Sequence, residues 1–136
     1  MNNTNTNKSE RISLRLNSKL FEEVKSKKLK QLNKTISNPK VIRQIIKSLA
    51  QPSVDKLVND QGIKEILNHK YKGQDCSMTV RISTEDRTTL EKLRASKSIS
   101  MNGLISNAMV ASLYSEKEIK AHFKQLKVGK RDYNNE

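Results

Sequence analysis

Two short stretches of the chain alternate polar and apolar residues. Residues 11–16 read Arg-Ile-Ser-Leu-Arg-Leu, and residues 77–82 read Ser-Met-Thr-Val-Arg-Ile. A period of two is typical of a β-strand with one buried and one wet face. The pattern therefore predicts two strands in the same phase. Their exposed faces would carry six polar side chains: Arg11, Ser13, Arg15, Ser77, Thr79 and Arg81.

Each of these stretches is followed by two segments with helical periodicity. Asn17-Ser18 and then Ser37 give helix N-cap signals after the first stretch. Ser83 and Ser100 give the corresponding signals after the second. Apolar residues at spacings of three and four give the segments a buried face. The order strand, helix, helix thus occurs twice, and the chain contains an internal repeat.

The remaining segments flank or join the two copies. The stretch between the copies predicts two short helices hinged near Asp60, with Ser53 capping the first. Ser115 and Glu118 fit a capping box that begins an amphipathic helix with Ile119, Phe123 and Leu126 on one face. The chain therefore divides into a flexible arm (1–9), a first unit (10–50), a helical spacer (51–75), a second unit (76–115), and an amphipathic helix with a disordered tail (116–136).

A lone short strand cannot pair its own backbone N–H and C=O groups, so each copy needs a partner. Antiparallel pairing of the two strands would make a ribbon over four helices. We therefore expect a mainly α fold with a short antiparallel β-ribbon. The pairing can occur within one chain, as a pseudo-dimer, or between two chains, as an intertwined homodimer.

Composition narrows the classes of function. The net charge of +13 favours nucleic-acid phosphates or anionic membranes as partners. Residues 10–50 carry 11 basic and 3 acidic side chains, whereas residues 51–75 carry four of each. Only 34% of residues are hydrophobic and Trp is absent, which disfavours a deep small-molecule pocket.

Other chemistries are not indicated. One cysteine and two isolated histidines exclude an internal disulfide and predict no metal site. We find no nucleophile–base pair, clustered carboxylates or phosphate loop, so we expect neither catalysis nor a cofactor. No apolar run of 18 residues occurs and no signal peptide is seen at the start, so we expect a cytoplasmic protein that does not span a membrane.

A two-stranded ribbon fits the major groove of B-DNA, which is about 12 Å wide. Arginine can bond guanine bidentately, and serine and threonine hydroxyls can donate to or accept from base edges. The exposed strand face is therefore a candidate reader of sequence. Lys27, Lys28 and Lys30 lie in a basic run, and we expect them to contact the DNA backbone or else to form a solvated helix face.

The two copies resemble ribbon-helix-helix modules, the superfamily of the MetJ, Arc and CopG repressors, of which the first two are known β-ribbon readers of DNA. The resemblance covers about 80 residues. It implies that the six exposed strand residues read bases. It also implies that the starts of the second helices bind phosphates, at Ser37 and Asn38 and at Ser100 and Met101. Pro39 removes one N–H donor, and we expect Gly103 to weaken the second helix start.

The tandem arrangement resembles TraY-type accessory proteins of plasmid conjugation. We therefore expect a double-stranded DNA-binding protein that acts as a transcriptional repressor or as a relaxosome accessory factor. Partners would include a relaxase or other DNA-processing protein, and a homodimer or higher oligomer could form on repeated sites. Pairing within one chain would predict an asymmetric or direct-repeat-like DNA site, whereas pairing between two chains would give two symmetric ribbons.

Two other classes of function remain open. The chain could be an antitoxin, or an adaptor that binds a toxin or relaxase through residues 115–136. Binding to RNA or to an anionic membrane is a third possibility. That class is disfavoured by three Tyr, two Phe and no Trp.

Overall fold

The computed structural model describes residues 9–32 and 35–121, and it is mainly helical with one two-stranded sheet. In chain order the elements are β1 (Ser9–Leu16), α1 (Ser18–Leu32), α2 (Asn38–Ser48), α3 (Pro52–Asp55), α4 (Gln61–Lys70), β2 (Cys76–Ser83), α5 (Thr84–Lys97) and α6 (Met101–Leu113). Residues 116–121 are also helical. In this described part, no helix combines the length and the apolar character needed to cross a membrane.

The two predicted strands and the four helices that follow them are confirmed. β1 begins at Ser9, one residue inside the segment predicted as an arm. The rest of that arm and the predicted tail lie outside the described residues.

The strands pair with each other, antiparallel, within this chain. Side chains on the inner face of β1 are buried, as are Val80 and Ile82 of β2, while Met78 is half-buried. The alternation read from the sequence thus corresponds to one face on the core and one face in solvent.

Polar side chains fix the starts of the four helices. Asn17 Oδ1 accepts a hydrogen bond from the Leu20 N–H at 2.9 Å, and Ser83 Oγ accepts one from the Asp86 N–H at 3.0 Å. The predicted caps Ser37 and Ser100 behave in the same way and are described with the site below. Each cap satisfies one of the N–H groups that a helix start leaves without an intrahelical partner.

Helix α6 is the centre of the core. It contacts α1, α2, α3, α4, α5 and β1, and its residues 104–110 are all buried. A helix surrounded on all sides is apolar around its circumference, and α6 has no charged residue. Asn107, one of its few buried polar side chains, donates to the Val58 carbonyl oxygen at 2.6 Å and so ties the spacer to the core.

The spacer forms two short helices, as predicted, but the predicted cap is wrong. Gln51 occupies the N-cap position of α3 and makes no side-chain cap bond, and Ser53 lies inside the helix. The reason is Pro52, which suits the first helical position because its missing N–H is not needed there. The break between the helices is closed by Asp60, whose Oδ1 accepts from the Gly62 N–H at 2.8 Å.

The end of the spacer is anchored by a buried tyrosine. Tyr71 Oη donates to Glu23 Oε1 at 2.7 Å and lies 3.0 Å from the Tyr114 hydroxyl. Burial is the main cause that raises the pKa of Tyr71 above its usual range, so the hydroxyl stays protonated. This contact joins α1, the spacer and the end of α6.

The C-terminal segment begins at the predicted capping box. The Ser115 N–H donates to Glu118 Oε1 at 2.9 Å, and the Glu118 N–H donates to Ser115 Oγ at 3.1 Å. Ile119 is buried, whereas Phe123 and Leu126 lie outside the described residues.

This segment packs against the spacer. A Cβ placed on Gly62 would overlap the Ile119 carbonyl oxygen and lie 2.7 Å from Ile119 Cγ2. Two ion pairs flank the contact: Lys56 Nζ to Glu116 Oε1 at 2.8 Å and Lys120 Nζ to Asp60 Oδ2 at 3.2 Å.

We predict that Gly62→Ala lowers the free energy of unfolding by about 1–3 kcal/mol, because the added methyl group displaces the helix at 116–121. The sign of this change is informative, because replacing Gly by Ala at an open helix position raises the free energy of unfolding by up to about 1 kcal/mol. Urea unfolding followed by circular dichroism measures it. Lys64→Ala, at an exposed position of α4, is the control. A Gly62→Ala protein as stable as the wild type would contradict this packing.

Candidate nucleic-acid interface

The outward side of the β1–β2 sheet carries the six residues predicted to read bases, and all six are exposed. We call this set the ribbon face: Arg11, Ser13, Arg15, Ser77, Thr79 and Arg81. The register places Arg11 opposite Arg81, Ser13 opposite Thr79 and Arg15 opposite Ser77. The structure thus brings all six together on one surface.

Two hydrogen bonds show how the ribbon face is oriented. The Arg15 N–H donates to Asn102 Oδ1 at 3.0 Å, and Arg43 Nη1 donates to the Arg81 carbonyl oxygen at 3.3 Å. These backbone groups therefore point away from the partner strand. Outward residues of this kind form the pairs without mutual hydrogen bonds, in which Cα atoms are about 4.5 Å apart and side chains are closest.

Arg11 and Arg81 are consequently two like charges held directly opposite each other. Like charges at such a position destabilise a sheet. Within the described residues no carboxylate forms an ion pair with either arginine, and Arg81 Nη1 instead donates to Ser9 Oγ at 3.3 Å. An anion bound on the ribbon face would relieve this repulsion.

Helix α2 contacts β2, and Arg43 in its second turn reaches the outer edge of that strand at Arg81. Ser37 Oγ accepts from the Lys40 N–H at a long 3.4 Å, and Pro39 has no N–H to offer. Asn38 Oδ1 accepts from Lys25 Nζ at 2.7 Å. The predicted phosphate residues Ser37 and Asn38 are exposed, with a lysine ammonium group beside them.

The start of α6 lies at the outer edge of β1 and has a different chemistry. Ser100 Oγ accepts from the Gly103 N–H at 3.0 Å, which leaves the N–H groups of Met101 and Asn102 ahead of the first intrahelical bond. Asn102 also holds β1 through Arg15. The second phosphate position thus offers two backbone donors, whereas the first offers one donor and a lysine.

Gly103 does not act simply as a weak helix former. A Cβ at this position would lie 2.9 Å from Ile99 Cγ2 and 3.1 Å from Ser100 Oγ. Helix propensity alone predicts only that glycine weakens this helix start. The structure shows that glycine lets the capping hydroxyl and Ile99 approach the first turn of α6.

The packing of α1 gives the lysines of the basic run different surroundings. Lys27 Nζ donates to the Ser112 carbonyl oxygen near the end of α6. Ten residues of helix separate Ser112 from Asn102, about 15 Å. Lys30 lines the same shallow groove as Lys27, and Lys28 is half-buried on α1. Lys27 and Lys30 thus lie near the end of α6 and not at its start, and their contact with phosphates stays a prediction.

Three further residues lie next to predicted site residues without a clear sequence pattern that indicates them: Lys25 beside Asn38, Arg43 beside Arg81 and Asn102 beside Arg15. Lys25 belongs to the basic run, but only the packing of α1 on α2 distinguishes it from Lys27. Arg43 follows the apolar pair that begins the buried face of α2, and nothing in its spacing shows that it reaches β2. For Asn102 the sequence offers one weak signal, which is a polar residue in the first turn of α6.

No group of three or more His, Cys, Asp or Glu side chains in residues 9–32 and 35–121 is placed to hold a metal ion. Cys76 is a half-buried free thiol opposite Leu16.

One end of the ribbon is fixed by an acidic side chain. Asp75 accepts from the Ser18 N–H at 2.9 Å and from Ser18 Oγ at 2.8 Å, so the residue before β2 holds the start of α1. These hydrogen bonds lower the pKa of Asp75 below its ordinary value. Asn17 supports the same junction through bonds from Nδ2 to the carbonyl oxygens of Lys72 and Gly73.

Comparison of the chain with protein-family models, with curated proteins and with solved structures found no match.

We predict that Asp75→Asn is less stable than the wild type near neutral pH and that the difference shrinks as the pH falls below about 4. A carboxyl whose pKa is lowered by folding stabilises the protein above its unfolded pKa and loses that effect when it is protonated in the folded state. Unfolding in urea across pH 2–7 measures the difference. Ser18→Ala should reduce the same pH dependence, since it removes one donor. A difference that is constant with pH would contradict the assigned role of Asp75.

Proposed function

We propose that this protein binds double-stranded DNA by laying the ribbon face in the major groove. The observation that carries the proposal is the chemistry of that face: three exposed arginines with serine and threonine between them, no acidic side chain, and two of the arginines held opposite each other. Strands about 4.8 Å apart with side chains directed outward match a groove about 12 Å wide.

We further propose that the chain is a tandem pair of ribbon-helix-helix modules folded as an intramolecular pseudo-dimer. The register supports this reading. Counting outward positions along each strand, the first position of one strand pairs with the third of the other, and Ser13 pairs with Thr79 in the middle. This is the pairing that an approximate two-fold axis between the two units requires.

Roles within the site follow from chemistry. Arg11, Arg15 and Arg81 donate bidentately to guanine, and Ser13, Ser77 and Thr79 contact neighbouring base edges. The starts of α2 and α6 bind phosphates on the two walls of the groove, since a helix start presents N–H groups and a partial positive charge. Phosphate contacts set the position on the duplex, and base contacts set the sequence.

In the cell, such a protein would act in the cytoplasm as a transcriptional repressor or as an accessory factor in plasmid DNA processing. The accessory role would add a relaxase or similar protein as partner, and repeated sites would bring further copies together. The antitoxin alternative relies on the segment from residue 115. In the described part of that segment, Ile119 packs on the chain's own spacer, so this part is already occupied.

We predict that Arg15→Ala and Arg81→Ala each weaken binding to a preferred duplex by about 1–3 kcal/mol and relax the base preference at one position. The preferred duplex is first selected from random DNA with the full chain, and affinities are measured by fluorescence anisotropy. Lys64→Ala removes one exposed positive charge from α4, which is not part of the ribbon, and serves as the control. Equal losses on preferred and random DNA would show that the ribbon face does not read bases.

A further inference from the structure

The two ends of the ribbon differ in charge. At one end Arg11 faces Arg81, and Arg43 of α2 donates to the Arg81 carbonyl oxygen. We call these three residues the arginine end. At the other end Arg15 faces Ser77, and Asn102 of α6 accepts from the Arg15 N–H. We call these three residues the amide end.

The helices that contact the two ends differ in charge in the same way. Helix α2 has the sequence NPKVIRQIIKS, with three basic residues and no acidic one, whereas α6 has the sequence MNGLISNAMVASL, with no charge at all. Lys25 adds a further cation at the start of α2 through its bond to Asn38. An exposed lysine of α2, Lys47, lies 3.8 Å from Asp86, which offsets part of its charge.

Arg43 is a positioning residue at the arginine end. One of its five N–H donors is used on the outer edge of β2, at the level of Arg81. The guanidinium group therefore lies beside the ribbon, where the wall of a groove holding the ribbon would pass. It holds the Arg81 backbone and places a positive charge beside the ribbon.

Building on the proposed function, we propose that the protein binds DNA in one orientation on an asymmetric site. The arginine end lies over a half-site with guanines for both Arg11 and Arg81, and the amide end lies over a half-site with one guanine for Arg15. The phosphates beside the arginine end supply most of the salt-dependent affinity through Arg43 and the other cations of α2. Those beside the amide end are bound by neutral donors.

A charge-neutral exchange tests this orientation. The double variant Arg11→Ser with Ser77→Arg keeps the composition and net charge of the ribbon face but moves the paired arginines to the end held by Asn102. All exchanged positions are exposed, so the fold should be retained, and urea unfolding verifies it. Motifs are selected from random duplex DNA with the full wild-type chain and with the full double variant. Methylphosphonates then replace the phosphates of one half-site at a time.

For the wild type we expect an asymmetric motif whose salt-sensitive phosphates flank the guanine-rich half. For the exchanged variant we expect the salt-sensitive phosphates to flank the guanine-poor half, since α2 has not moved. Arg43→Ala should lower the slope of log affinity against log salt by about 0.9, the loss of one phosphate contact. Lys64→Ala, on α4, should leave the slope unchanged.

Other outcomes would contradict either the single orientation or DNA binding itself. A symmetric wild-type motif, or salt-sensitive phosphates spread equally over both halves, would overturn the single orientation while leaving DNA binding intact. An exchanged variant whose salt-sensitive phosphates still flank the guanine-rich half would do the same. Failure of the wild-type chain to bind duplex DNA would overturn the proposed function itself and this inference with it.

Discussion

Short strands leave their backbone N–H and C=O groups unsatisfied unless another strand lies beside them, and in this chain β1 and β2 satisfy each other. That pairing turns two separated sequence stretches into one surface. Its inner side caps the core formed around α6, and its outer side gathers the polar residues of both strands. The outer edges are then available to α2 and α6, which contact them through Arg43 and Asn102.

The strands, the helix starts and the C-terminal capping box could be predicted because each depends on local periodicity or on a single polar side chain. Whether the ribbon forms within one chain could not be predicted, because the same alternation of residues fits pairing within one chain and pairing between two chains. The cap at Ser53 was wrong because Pro52 is the first residue of the helix, which moves the cap two residues back to Gln51. The lysine run shows most clearly what the sequence could not predict. Lys25 and Lys27 are two residues apart on α1, yet Lys25 bonds to Asn38 and Lys27 bonds near the C-terminal end of α6.

The spacer and the C-terminal segment act as a brace for the repeat. Asn107 holds the spacer from inside the core, Gly62 admits Ile119 at close range, and Tyr71 joins α1 to the end of α6. The second helices of the two strand-helix-helix copies differ in charge, since α2 is basic and α6 is uncharged.

The central claim is that the ribbon face contacts bases in the major groove. The most direct measurement is a titration of the isotope-labelled full chain with a selected duplex, followed by NMR at backbone amides and arginine side chains. If the ribbon face contacts bases, the largest changes fall on residues 11–15 and 77–81 and on the starts of α2 and α6. Changes centred on α4 or on the exposed side of α5, with the ribbon unaffected, would contradict the central claim.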